Sequence, residues 1–335
     1  MNGSPRHVLC FGELLLRLSP PGGEALLQSA RLGAHFGGAE GNVAVALARL
    51  GRSSAMVSAV PDDPIGDAAG DSLRKAGVDV SRIRRAPGRL GLYFLTPPAG
   101  VSAGAVIYYR ADSVFAATRD YDWPALLEGA DWLHLSGIIP AIGPEMADVG
   151  LAAIAAAHAA GVRVSFDGNF RASMWARWCA DPGPVLAEYI GGADLLFGSH
   201  RDISLALGDE LAGGSDEKRR KAALAAFARF PRLATIAGTD REIVAPDHHR
   251  LSARIDTRAE AFVAPTIDVP GIVDRIGTGD AFAAGVLAHI DDGLEPAATA
   301  GLALAALKHG IAGDHSTATP RDLAGFAPGL GDVRR

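Results

Sequence analysis

A chain of 335 residues has material for one large domain or two ordinary ones, and enough to bury a core. Its 48% hydrophobic and 21% charged residues exclude wholesale disorder, and a net charge of −6 with no long basic run argues against a nucleic-acid partner. Two cysteines, Cys10 and Cys179, exclude a disulfide framework, and no apolar run reaches the roughly 18 residues of a membrane span, so the reading is a cytoplasmic, reducing setting with no membrane partner.

In chain order, short apolar runs alternate with longer amphipathic ones. Residues 7–16 predict a first strand, with Cys10 as a small buried hydrophobe, and residues 40–50 a helix closed by Gly51. Residues 54–60 read as a strand and 65–75 as a helix ending at Gly77. Residues 90–110 break the rhythm: 92–96, a Pro/Gly turn and 105–110 predict a β-hairpin, an excursion suited to a lid or a dimer edge. Strands follow at 132–135, 162–166, 194–197 and 233–237, with helices at 145–160, 184–190 and 217–230 between them. The basic cluster 218–221 falls in the last helix and reads as a solvated face, and His248 and His249 read as an exposed turn. Strand, helix, strand at this spacing implies crossover units and a mainly parallel sheet covered on both faces.

The chemistry concentrates in residues 274–285, Asp-Arg-Ile-Gly-Thr-Gly-Asp-Ala-Phe-Ala-Ala-Gly. Gly277 and Gly279 permit positive φ and let a phosphate approach the backbone, and the helix predicted over 281–290 adds roughly half a positive charge at its start. Asp280 in that first turn is expected to stay ionised, a weak but available base. Anion cradle and carboxylate together are what phosphoryl transfer to an alcohol requires. An aspartate cap with tight-turn glycines has the same spacing, so spacing alone does not choose. No Gly-x-x-x-x-Gly-Lys-Ser/Thr occurs, and the first strand leads into Pro20-Pro21-Gly22-Gly23, so neither a P-loop nor a dinucleotide fingerprint is present.

Residues 35–51, His-Phe-Gly37-Gly38-Ala39-Glu40-Gly41-Asn42 through Arg49-Leu50-Gly51, resemble the N-terminal signature of the ribokinase-like (PfkB) carbohydrate kinases, and residues 274–285 resemble their C-terminal signature. The resemblance runs from about residue 8 to 327. It implies one three-layer α/β/α domain over 1–330, with a mainly parallel central sheet, a small β-strand lid from about 12–38 and 88–115, and a tail at 331–335. It also implies ATP with Mg²⁺, Asp280 as catalytic base, and Gly277, Thr278 and Gly279 as an anion hole. Further stretches resemble the 2-keto-3-deoxygluconate kinases within that family. They are Gly91-Leu92-Tyr93-Phe94, Tyr108-Tyr109-Arg110 with Ser113, Ser136-Gly137-Ile138, and 166–175 with Asp167, Asn169, Arg171 and Trp175, where Met174 replaces the usual leucine.

A ketodeoxy sugar acid carries a carboxylate, and Arg110 and Arg171 offer it planar forks of donors. Tyr93 and Tyr108 would pack its carbon chain, Gly38 would let the loop backbone approach it, and Asn42 would anchor that loop. The tyrosines fit equally as cross-strand aromatics, Arg110 as an edge charge, and Arg171 as a partner of Asp167 or Glu188. The nucleotide would lie on Ser199, Gly238, Thr239 and Arg241, with Gly277 and Gly279. Two departures from the family pattern fall there: Ser199-His200-Arg201-Asp202 replaces Asn-x-x-Glu, and residues 236–241 lack the Lys-x-Gly-x-x-Gly loop, Arg241 restoring a positive charge. Metal ligands stay unassigned. The expected activity is transfer of the ATP γ-phosphoryl group to the terminal hydroxyl of 2-keto-3-deoxygluconate, in sugar-acid catabolism of the Entner–Doudoroff type. A kinase for fructose, ribose or a nucleoside, and a non-catalytic sugar-acid sensor, remain open. A homodimer through the lid strands is expected.

Overall fold

A computed structural model describes residues 7–22, 24–26, 28–98 and 104–327, and the tail at 331–335 lies outside them. The strands begin with β1 (His7–Phe11), β2 (Leu15–Ser19), β3 (Gly33–Gly37), β4 (Ser53–Pro61), β5 (Ile83–Ala86), β6 (Gly91–Thr96) and β7 (Ala105–Tyr109). They continue with β8 (Trp132–Ser136), β9 (Arg163–Asp167), β10 (Leu195–Phe197), β11 (Thr235–Ala245), β12 (His248–Thr257), β13 (Ala261–Val263) and β14 (Ile267–Pro270).

The main sheet has the order β13-β12-β11-β10-β9-β8-β1-β4-β5, with β14 also paired to β12. From β5 to β11 every pair is parallel, and β12, β13 and β14 add an antiparallel edge. Strict alternation along β1 sends Val8 and Cys10 into one core and Leu9 and Phe11 into the other. The first core is covered by the helices Ala39–Arg49, Thr278–His289 and Leu294–His309, and the second by Pro144–Ala159, Gly183–Gly192 and Asp216–Arg229. Three layers result, as the resemblance implied. Cys10 is fully buried. Among the described residues no helix is long and apolar enough to cross a membrane.

A separate four-stranded sheet, β3-β2-β6-β7, forms the lid. Here the single strand expected over 7–16 needs correcting. The chain leaves the main sheet after Phe11, turns through Gly12, Glu13 and Leu14, and enters the lid as β2. The apolar run is continuous because both halves are buried, so periodicity does not mark the change of sheet. The predicted hairpin is present, with Tyr93 opposite Tyr108.

Two surface readings also change. His248 and His249 open β12 rather than lying in a turn; His249 is fully buried and His248 Nε2 donates to Asp268 Oδ1 at 2.8 Å. In the basic cluster, Arg219 pairs with Asp240 at 2.6 Å and Arg220 with Asp256 at 3.0 Å, which fastens the helix Asp216–Arg229 to the sheet edge.

Candidate active site

The parallel strands deliver their C-terminal ends to one side of the sheet, where ligands of open α/β sheets bind. Ser136 ends β8 and Asp167 ends β9 there. The helix Thr278–His289 begins against them. Its cap, Gly277, has φ 81° and no side chain caps the end, so the first-turn N–H groups are not consumed by a capping residue. A Cβ on Gly277 would sit 2.1 Å from the Asp314 carbonyl oxygen, so glycine is required by backbone contact as well as by φ.

Asp280 lies in that first turn. Its Oδ2 accepts a 2.6 Å hydrogen bond from Asn42 Nδ2, on the helix Ala39–Arg49, across 238 residues of sequence. Asn42 thus anchors the carboxylate rather than its own loop, and its Oδ1 is buried without a hydrogen bond. Burial lifts the Asp280 carboxyl to about 6, against the lowering by Asn42 and by the charge of Arg171. The helix start was expected to keep it ionised as a weak base; desolvation makes it a stronger base that is still mostly ionised at neutral pH.

A cavity of about 350 Å³ opens onto Asp280. It is lined by Gly38, Asn42, Tyr93, Tyr108, Arg110 and Arg171, together with Gly277, Thr278 and Gly279, so every acceptor-site residue expected from sequence meets in one place. Their roles differ. Gly38 has φ 137° and approaches the Glu13 carbonyl so closely that a Cβ would clash at 2.1 Å. Tyr93 is buried and donates its hydroxyl to Asp314, and its ring lies 6.1 Å from Tyr108. Arg110 is buried and forked onto Glu13, whose other oxygen accepts from Ser113 at 2.6 Å. Its charge is neutralised within the protein. Arg171 donates only to the neighbouring Phe170 carbonyl and forms no ion pair among the described residues; it makes no direct contact with Asp167 or Glu188, although its charge acts on the Asp167 and Asp280 carboxyls.

A second cavity of about 300 Å³ runs over β10–β12 and the helix His200–Leu207, lined by Ser199, Gly238, Thr239 and Arg241. A smaller one, touching Asp167, Ser199, Gly238 and Gly279, lies between the two. Ser199 caps the helix His200–Leu207, with Asp202 closing a capping box through the Ser199 N–H at 2.7 Å. Partial burial, then the like charge of Arg275, lowers the Arg241 guanidinium.

Several residues at this site were missed. Asp167 was quoted only as part of a motif, yet burial, then the charges of Asp280 and Asp202, push its carboxyl to about 8. Glu40 is buried and raised to about 7, chiefly by desolvation. Arg275 lines the acceptor cavity. Arg17 on β2 lies between Asp274 at 2.7 Å and Asp314 at 3.1 Å, all three buried or nearly so. Arg275 and Asp274 lay inside a quoted signature; Arg17 and Asp314 carried no local signal.

An open helix start beside a carboxylate, at the junction of two cavities under a small lid, defines a small-molecule kinase. Comparison with known proteins makes the class specific. The family described as pfkB family carbohydrate kinase matches residues 5–319. The chain is 32% identical over 321 residues to a 2-dehydro-3-deoxygalactonokinase of Haloferax volcanii, covering 95% of both chains. It is 31% identical over 296 residues to a 2-dehydro-3-deoxygluconokinase of Bacillus subtilis, covering 86% of this chain and 85% of that one. Among solved structures, a 2-dehydro-3-deoxygluconokinase of Thermotoga maritima superimposes with a TM-score of 0.91 at 32% identity, over 97% of this chain and 99% of the other. The chain belongs to the pfkB family of carbohydrate kinases.

Proposed function

We propose that this carbohydrate kinase transfers the γ-phosphoryl group of ATP to the terminal hydroxyl of 2-keto-3-deoxygluconate. The observation that carries the acid preference is Arg171: a guanidinium in the same cavity as Asp280, with no direct ion pair or hydrogen bond to a carboxylate among the described residues. A sugar carboxylate supplies that partner bidentately. The relatives named for 2-dehydro-3-deoxy sugar acids point the same way.

In this reading the acceptor hydroxyl lies against Asp280. As its oxygen bonds to the γ-phosphorus and the bond to the ADP oxygen breaks, its proton passes to the Asp280 carboxylate. Asn42 occupies Oδ2 and holds the group in place. The N–H groups at Gly277–Asp280 receive the charge on the transferring group, and Arg275 and Arg241 face the nucleotide phosphates. Tyr93 and Tyr108 pack the carbon chain, and the lid excludes water from the transfer. The residues suited to Mg²⁺ are Asp167 and Asp202, hard oxygen donors whose mutual charge already hinders ionisation of Asp167. When bound, Mg²⁺ supplies divalent charge to the nucleotide phosphates. Residues 1–330 are taken as one kinase domain in a cytoplasmic setting, dimerised through the exposed edge of β7.

An ADP-release assay across 2-keto-3-deoxygluconate, its galacto epimer, fructose, ribose and a nucleoside tests the reading. Turnover is expected with the sugar acids and at most weakly with neutral sugars. Equal turnover of a neutral sugar overturns the acid assignment, and no substrate-stimulated turnover favours a sensor.

A further inference from the structure

Arg17 belongs to the lid, yet its charge is spent on the phosphate side of the site. In β2 it stands in register with Tyr93 of β6, and both side chains reach out of the lid sheet to the loop that follows the helix Leu294–His309. There Arg17 Nη2 donates to Asp274 Oδ2 at 2.7 Å, and Tyr93 donates to Asp314. Asp274 is a knot of three strands of chain. Its Oδ1 accepts from the N–H of Ile276 at 3.0 Å, inside the turn that leads to Gly277, and its Oδ2 also accepts from the N–H of Gly313 at 3.0 Å. Gly277 itself packs on the Asp314 carbonyl. Through two carboxylates the lid is fastened to the anion-binding turn, with Arg17 only 3% exposed.

The fastening is incomplete on one side. Arg17 Nη1 lies 3.1 Å from Asp314 Oδ1, but the angle makes no hydrogen bond, and Arg17 Nε, Nη1 and Asp314 Oδ1 are all buried without one. Buried donors and acceptors left unmade are costly, and a charge-assisted bond between these is gained by a small relative movement. Tyr93, held in register with Arg17 on the neighbouring strand, lines the acceptor cavity.

We propose that Arg17 is a positioning residue that couples the two substrate sites. Seating the acceptor under the lid draws the Arg17–Asp314 contact into a hydrogen bond, and this steadies the Asp274–Gly277 turn that receives the γ-phosphate. The acceptor then tightens nucleotide binding, and by linkage the nucleotide tightens acceptor binding by the same factor. In its acceptor identity this rests on the sugar-acid reading above.

Calorimetric titration of Mg²⁺ with a non-hydrolysable ATP analogue, with and without saturating 2-keto-3-deoxygluconate, reads the coupling. The unaltered protein is expected to bind the analogue about 5-fold or more tightly when the sugar acid is present. Arg17→Lys, which keeps the charge but cannot span both carboxylates, and the charge-balanced pair Arg17→Met with Asp314→Asn are expected to bring that factor within about 2-fold of unity. A purely structural role would lower melting temperature and leave the factor intact, which overturns the proposal. Amide hydrogen exchange supplies an arm that needs no sugar. The analogue alone should slow exchange in β2 and β6 of the unaltered protein and not of Arg17→Lys. If the sugar acid fails to bind while this arm holds, the substrate reading is lost and the coupling stands; equal protection in both proteins removes the coupling.

Discussion

Asp280 is held between opposing influences, and their balance fixes what its pH profile must look like. The helix start and Asn42 favour the anion, while burial favours the acid and lifts the group to about 6. A base must be ionised, so kcat is expected to rise as pH increases through about 6 and to level above it. Asn42→Ala removes a bond to the charged form and should move that limb to higher pH; a limb that stays in place ends the assignment of Asn42. Asp280→Asn should lower turnover by about 10²–10⁴ with little change in acceptor affinity, and near-normal turnover would discard Asp280 as base. The two arginines separate just as sharply. Arg171→Ala should raise KM for a sugar acid and leave a neutral sugar largely unaffected, read from parallel saturation curves. Arg110→Ala strips the partner from a Glu13 that is 1% exposed, so the expected loss is stability, about 3–5 kcal/mol in a denaturant titration, rather than acceptor affinity. Sequence could place Arg110 on the hairpin but not show Glu13, which meets it from 97 residues away.

At the level of elements, period and punctuation were legible wherever the signal was local. The helix predicted over 65–75 is found as Pro64–Ala76, started by the Asp63 side chain on the N–H groups of Ile65 and Gly66 and ended by Gly77 at φ 99°. The helix over 217–230 is found as Asp216–Arg229, with Ser215 as its cap. What local signal could not show is which sheet a strand joins. The first apolar run divides between two sheets, and 233–237 proves to be the start of an eleven-residue strand, β11, whose later half is mostly exposed and loses the apolar pattern. The helix Leu294–His309 was not assigned, because its Ala-rich, largely buried face has no clear polar stripe. The hairpin, by contrast, declared itself, and its outer strand β7 exposes Val106, Ile107 and Tyr109 at 40%, 47% and 56% on an unpaired lid edge. Edge strands of this kind are sealed in nature by charge or by a partner. For the proposed dimer, Ile107→Glu is therefore expected to reduce the mass in light scattering to that of a monomer. An unchanged mass would place the subunit contact elsewhere or show that none exists.

For the molecule as a whole, the fold brings four carboxyls to one site from distant parts of the chain, and their collective cost governs stability against pH. Glu40, Asp167, Asp280 and Asp314 are raised to about 7, 8, 6 and 6, burial being the first cause of each. No single motif announces such a field, because the four groups lie in separate stretches and only topology sums them. Histidines held largely away from water act in the opposite direction. His134, His249 and His315 are lowered to about 3, 4 and 4 by desolvation, so the unfolded chain binds protons there that the folded one refuses. That contribution operates only below about 6.5, the ordinary histidine value, since above it these rings are neutral in both states. Above 6.5 the carboxyls lead, joined towards pH 8.5 by the Cys10 thiol, which burial also raises. The unfolded chain has already lost their protons, while folded Glu40 and Asp167 still hold theirs, so ν_N exceeds ν_U and stability falls as pH rises. The melting temperature of the ligand-free protein is expected to decline steadily from pH 6.5 to 8.5. Asp167→Asn deletes the group with the highest value and should flatten that decline, and Mg²⁺ with nucleotide should do the same by neutralising the site. A decline of equal slope in Asp167→Asn would mean that the acidic field at the strand ends does not set the alkaline stability of this kinase.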